Sequence, residues 1–143
     1  MRNNRERYKA LEPRYKQFWV GATCYYCGDK ADTTDHVPAI SVAYAMGAEA
    51  LEKQGAPFVK VSACRECNVI LSDEAVLSLE ARGKYIYEYL LRRYGRFLDG
   101  RRYEYLEELE EFGPNLRSYI ENHANVTTWI ERRLCFIENV FTV

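Results

Sequence analysis

The sequence predicts an α+β fold, mostly helical, in which a short cysteine-rich core lies between a helical arm and a long helical region. Three observations predict it. Two Cys-x2-Cys pairs bracket a segment of short alternating runs and turn-forming Gly and Pro. From about Asp73 onward the apolar residues recur at helical spacing. The length of 143 residues, 48% of them hydrophobic, suits one domain with a modest core. The expected boundaries are an arm over 1–20, a core over 21–80 and a helical region over 81–143.

In the arm, Tyr8, Leu11, Tyr15, Phe18 and Trp19 fall at three-to-four spacing and predict helix over 3–19. Pro13 either ends a first short helix or opens a second. In the core, Thr33-Thr-Asp-His-Val37 reads as a strand closed by Pro38, and Phe58-Val-Lys-Val-Ser62 as a second strand. Between them, Ala45 to Gln54 reads as a short helix ended by Gly55 and Pro57. Leu79, Ile86, Leu90 and Phe97 then mark a long helix ending near Asp99-Gly100, and Tyr103 to Phe112 a short acidic one. Pro114 suits the first turn of a final helix, where Leu116, Ile120, His123, Thr127, Ile130, Leu134, Ile137 and Phe141 form a coiled-coil-like stripe. Such a stripe either packs on its own domain or forms a homodimer seam.

The formal net charge is −1, but the charges are segregated. Residues 1–18 are basic, as is the run Arg82, Lys84, Arg92, Arg93, Arg96, Arg101, Arg102, whereas residues 104–111 are acidic. This segregation gives either solvated helix faces or a positive surface on a neutral protein. No apolar run is long enough to span a membrane, and the charged start has no apolar stretch behind it, so a cytoplasmic protein without a membrane partner is expected.

Cys24-Tyr-Tyr-Cys27 and Cys64-Arg-Glu-Cys67 each place two thiolates on one tight turn, and together they suit a tetrahedral structural zinc site. Gly28 fits the turn of the first knuckle. A disulfide framework does not suit a cytoplasmic protein, and a redox motif explains one pair but not two. The long insert between the pairs must itself be folded. The fifth cysteine, Cys135, is expected to be a small buried residue.

That insert carries Thr34-Asp35-His36-Val37-Pro38, and Asn68 directly follows the last cysteine of the second pair. A zinc clasp would bring the end of this strand toward the start of the next helix. Asp35 and Asn68 offer hard oxygen ligands for Mg²⁺ or Mn²⁺. His36, on the opposite side of a regular strand from Asp35, is free to deprotonate a water. The structural alternatives are a buried histidine and an Asn that caps a helix.

The order Cys-x2-Cys, Asp-His-Val-Pro, Cys-x2-Cys-Asn resembles the HNH (ββα-metal) endonucleases, in the zinc-containing four-cysteine layout of phage recombination endonuclease VII. The resemblance covers roughly residues 22–73. It implies a ββα-metal core with structural zinc at Cys24, Cys27, Cys64 and Cys67 and a catalytic ion at Asp35 and Asn68. It also implies His36 as the water-activating base and DNA phosphodiester hydrolysis to a 5′-phosphate and a 3′-hydroxyl. The chain departs from the family where a further metal ligand follows on the helix, since Leu71 and Ser72 stand there, and where a polar ligand follows the Asp-His pair, since Pro38 stands there. Arg65, Arg92, Arg93 and Arg96 are candidate phosphate contacts to DNA, with little sequence specificity. The alternative function is a non-catalytic zinc module that binds nucleic acid or a protein partner.

Overall fold

The computed structural model describes residues 4–72, 74–98 and 113–143. It is α+β and mostly helical, with one three-stranded sheet. Helix α1 (Asn4–Leu11) runs into a 3-10 turn at Glu12–Arg14 that contains Pro13, so the arm is not helical to its end. The segment Lys16–Trp19 is instead strand β1, which pairs in parallel with β3 (Val59–Ala63). The three-to-four spacing of the arm's aromatics misled here because a sheet edge outweighed local helical periodicity over these four residues.

Strand β2 (Thr33–Val37) pairs antiparallel with β3, giving the order β1-β3-β2. The register sets Thr33 opposite Ala63, Asp35 opposite Val61 and Val37 opposite Val59. The expected single helix over 45–54 is two, α2 (Ile40–Met46) and α3 (Ala48–Lys53), separated by Gly47 at φ 87°. A positive φ of this size is glycine's territory, and it turns the chain sharply between the two.

Helix α4 (Arg65–Leu71) starts at once after β3. Helix α5 (Leu79–Arg93) begins where the Ser78 hydroxyl accepts from the Ala81 backbone N–H at 3.1 Å, and a 3-10 turn follows at Gly95–Phe97. The expected acidic helix over 103–112 lies outside the described residues. Helix α6 (Pro114–Phe141) has Pro in its first turn, as its sequence predicts.

Two apolar clusters hold these elements. The larger gathers the four paired cysteines with Tyr26, Val61, Leu71, Ile86, Leu90, Ile130, Leu134, Ile137 and Phe141. The smaller joins Tyr15 of the arm to Val42, Ala43, Leu51 and Phe58. In the second half of the α6 stripe, Ile130, Leu134, Ile137 and Phe141 pack into the larger cluster. Cys135, expected to be buried, is exposed, because it sits one position off that stripe. No helix among the described residues is long and apolar enough to cross a membrane.

Candidate metal centre

The first knuckle closes through the Gly28 N–H, which donates to Cys24 O at 3.0 Å. Gly28 takes φ 75°, and a Cβ there would meet the Phe136 ring at 2.6 Å, so both conformation and space require glycine. The second knuckle is the junction of β3 and α4. Cys64 caps the helix, its sulfur accepting from the Cys67 N–H at 3.4 Å, and Cys67 sits in the first turn. Pairing of β2 with β3 and of the Tyr25 N–H with Ser62 O (2.9 Å) brings the two knuckles together.

The four ligand sulfurs lie within 4.8 Å of one another, all buried, and none is in a disulfide. Cys27 and Cys64 sulfurs are 3.7 Å apart. A zinc–sulfur distance of about 2.3 Å gives a tetrahedral edge of about 3.8 Å, so four soft donors at this spacing fit a zinc-sized ion. Hydrogen bonding with Cys24 and the other two sulfurs, followed by burial, pushes the Cys67 thiol far above its ordinary range. The crowded sulfurs do not lose four protons unaided; a bound cation removes that conflict.

Arg133 of α6 lies over this cluster with its side chain 2% exposed. Its Nε donates to Cys27 Sγ at 3.2 Å, and one terminal nitrogen approaches Cys64 and Cys67 sulfurs at 3.7 and 3.6 Å. The other terminal nitrogen donates to Glu66, and the guanidinium stacks 4.5 Å from the Trp129 ring. Glu66 also accepts from the Tyr94 hydroxyl at 2.5 Å and pairs with Arg93 at 3.4 Å. Burial, then this carboxylate, pushes the Tyr94 hydroxyl up to about 12.

Each residue of the nuclease-like motif has its own partners in the chain. Asp35 points inward from β2 and is buried. Arg82, fully buried on α5, donates to Asp35 Oδ1 at 2.9 Å and to Oδ2 at 3.1 and 3.3 Å. The Tyr26 hydroxyl donates to Oδ2 at 2.5 Å. Burial, then the Asp35 charge, raises the Tyr26 hydroxyl well above its usual range. Both oxygens that Asp35 would offer to a Mg²⁺ or Mn²⁺ ion shared with Asn68 thus accept from Arg82 or Tyr26. Asn68 turns its Nδ2 to Thr33 Oγ1 (3.1 Å) and Thr34 O (3.3 Å), clamping α4 to β2.

His36 faces away from Asp35, as the pleat requires. Its Nε2–H donates to Glu12 Oε2 at 2.7 Å, and Lys60 donates to Glu12 Oε1 at 2.6 Å. Tyr8 and Tyr15 meet the imidazole edge-on at 5.4 and 4.9 Å. The ring is thus engaged with the arm rather than with Asn68. Arg82 belongs to the basic run of the sequence but is buried, and its position between Leu79 and Ile86 on the apolar stripe is the signal for that. Arg133, beside Ile130 and Leu134, carried the same signal. Arg65, Arg92, Arg93 and Arg96 are all exposed, as phosphate contacts would need to be. Comparison with known proteins finds no family model, no curated protein and no solved structure that matches this chain.

Proposed function

We propose that this chain is a metal-stapled module that binds nucleic acid through arginines of α4, α5 and the turn after α5 without hydrolysing it. The observation that carries the reading is the Asp35–Arg82 pair, which uses up the one carboxylate of the motif while other arginines stay at the surface. A hard dication would have to displace a buried guanidinium that makes three hydrogen bonds to that carboxylate.

The surface supports the binding half. Glu66 reaches Arg93 across the two helices, and Arg65, next to it in α4, is exposed. Neither Arg65 nor Arg92 has a carboxylate partner among the described residues. Arg96 lies over the Phe97 ring at 4.7 Å. Guanidinium groups of this kind suit phosphate contacts that carry affinity without base readout.

The test is fluorescence anisotropy with labelled duplex and single-stranded DNA over a salt series. Arg65→Ala, Arg92→Ala and Arg96→Ala should each weaken binding and reduce the salt slope by about 1. Plasmid incubated with Mg²⁺ or Mn²⁺ should stay intact. Absence of binding by the wild type would remove the proposal.

A second reading is the HNH nuclease itself, favoured by the His36–Glu12 pair. A carboxylate holding one imidazole nitrogen orients the ring and leaves the other nitrogen free to act, and the His36 side chain reaches the surface at 12% exposure. In that reading Arg82 must withdraw from Asp35 before an ion binds. Cleavage that His36→Ala abolishes with zinc content unchanged would favour it over the binding module.

A further inference from the structure

We infer that Arg133 is the counter-cation of the four-cysteine site, and that metal occupancy is thereby coupled to the docking of α6. The reasoning starts from what a buried guanidinium needs. Arg133 has five N–H groups and no contact with water worth the name, its side chain being 2% exposed. Its acceptors are three of the four cysteine sulfurs and one carboxylate, Glu66. A tetrathiolate site holding a dication carries two negative charges, which is the complement a buried cation requires. Both the charge on those sulfurs and their positions depend on the ion.

The rest of the contact makes the coupling specific to α6. Trp129 Nε1 donates to Asp29 Oδ2 at 3.0 Å, so a second polar anchor of the helix rests on the first knuckle. The Phe136 ring lies where a side chain on Gly28 would be, directly against the same knuckle. Ile130, Leu134 and Ile137 pack into the cluster that includes all four cysteines. Two further polar anchors, Thr127 to Phe97 O at 2.7 Å and Tyr87 to Glu138 at 2.6 Å, tie α6 to α5 and the turn after it. Loss of the ion therefore leaves Arg133 with Glu66 as its one charged acceptor and loosens the knuckle against which α6 packs. The smaller cluster around Leu51 and Phe58 contains none of these residues. Coupling of this kind is reciprocal: if the ion holds the helix, the helix holds the ion.

The test uses the zinc-loaded full chain under reductant, with transfer of zinc to a chromophoric chelator followed in time. Arg133→Met, which keeps length and removes charge, should weaken zinc retention about 10- to 100-fold, the range seen when groups hydrogen-bonded to metal ligands are removed. Arg133→Lys, which keeps the charge and loses the fork, should fall between Met and wild type. Hydrogen exchange during zinc withdrawal from the wild type supplies a readout that does not need a folded variant. Amides of residues 126–141 should lose protection before those of residues 40–53. The inference is overturned if Arg133→Met releases zinc at the wild-type rate, or if Lys behaves as Met does. It is equally overturned if α6 keeps its protection once zinc is gone, or if both segments open together.

Discussion

Replacing Asp35 with Asn separates a structural carboxylate from a metal ligand. The change preserves shape and removes one charge. In the structure it leaves the Arg82 guanidinium, fully buried, facing a neutral amide in place of the carboxylate that accepts three of its hydrogen bonds. The remaining acceptors of Arg82 are Val76 O at 2.7 Å, His36 O at 3.4 Å and the Tyr26 hydroxyl at 3.3 Å, all uncharged. Breaking a buried pair from one side costs about 3–5 kcal/mol, because the surviving charge has neither a counter-charge nor water. At roughly 4 °C per kcal/mol for a domain of this size, Tm should fall by about 12–20 °C. Arg82→Met should cost about as much. The double variant Asp35→Leu with Arg82→Met should recover most of the loss, since apolar groups of similar volume replace the whole pair. Thermal unfolding followed by circular dichroism on zinc-loaded protein measures all of these. A carboxylate kept for an absent dication would behave oppositely, with Asp35→Asn neutral or stabilising. A Tm for Asp35→Asn within about 2 °C of wild type would refute the reasoning.

Native mass spectrometry should find one zinc ion per wild-type chain and none in Cys67→Ser, because a tetrahedral site left with three thiolates loses both charge and geometry. Glu12 is pushed up by burial but pulled down further by hydrogen bonds from Lys60 and then His36, so its folded pKa lies below the ordinary 4.5. Its contribution is therefore fully present above about pH 4.5 and disappears as pH falls through the depressed value, and Glu12→Gln should flatten that part of an acid-unfolding curve. Gly83→Ala would set a Cβ 2.4 Å from Phe141 Cγ in the core, and urea unfolding should show a loss of about 1–3 kcal/mol.

What was legible in the sequence was what short spacing decides. Each cysteine pair is held by one turn, so two residues between thiols announce the cluster without knowledge of the fold. The strand at 33–37 and the helix from Pro114 are equally local, the first through alternation closed by Pro38 and the second through a proline start and a sustained apolar stripe. The strand Lys16–Trp19 was not legible, because its partner is β3, some forty residues later, and its four residues are all exposed. Without a buried face, alternation leaves no trace in the sequence, and the aromatic spacing of α1 ran on past its true end.

The motif around Asp35 shows how much of a residue's role is decided by partners far away in the chain. Pleat geometry alone sends Asp35 and His36 to opposite sides of β2, and the structure agrees. What each side chain meets there is set elsewhere in the chain: Arg82 is 47 residues from Asp35, and Glu12 is 24 residues from His36. A carboxylate that would bind a dication in an open cleft becomes the anchor of α5 once a guanidinium fills the space first. The visible clue was Arg82 itself, a cation on the apolar stripe of a helix. A charge placed there must have a buried partner, and Asp35 at the inward-facing centre of β2 was available. Buried arginines on apolar stripes thus carry as much information about this chain as its cysteines do. Arg82 takes up the acid of the nuclease-like motif, and Arg133 holds the sulfurs.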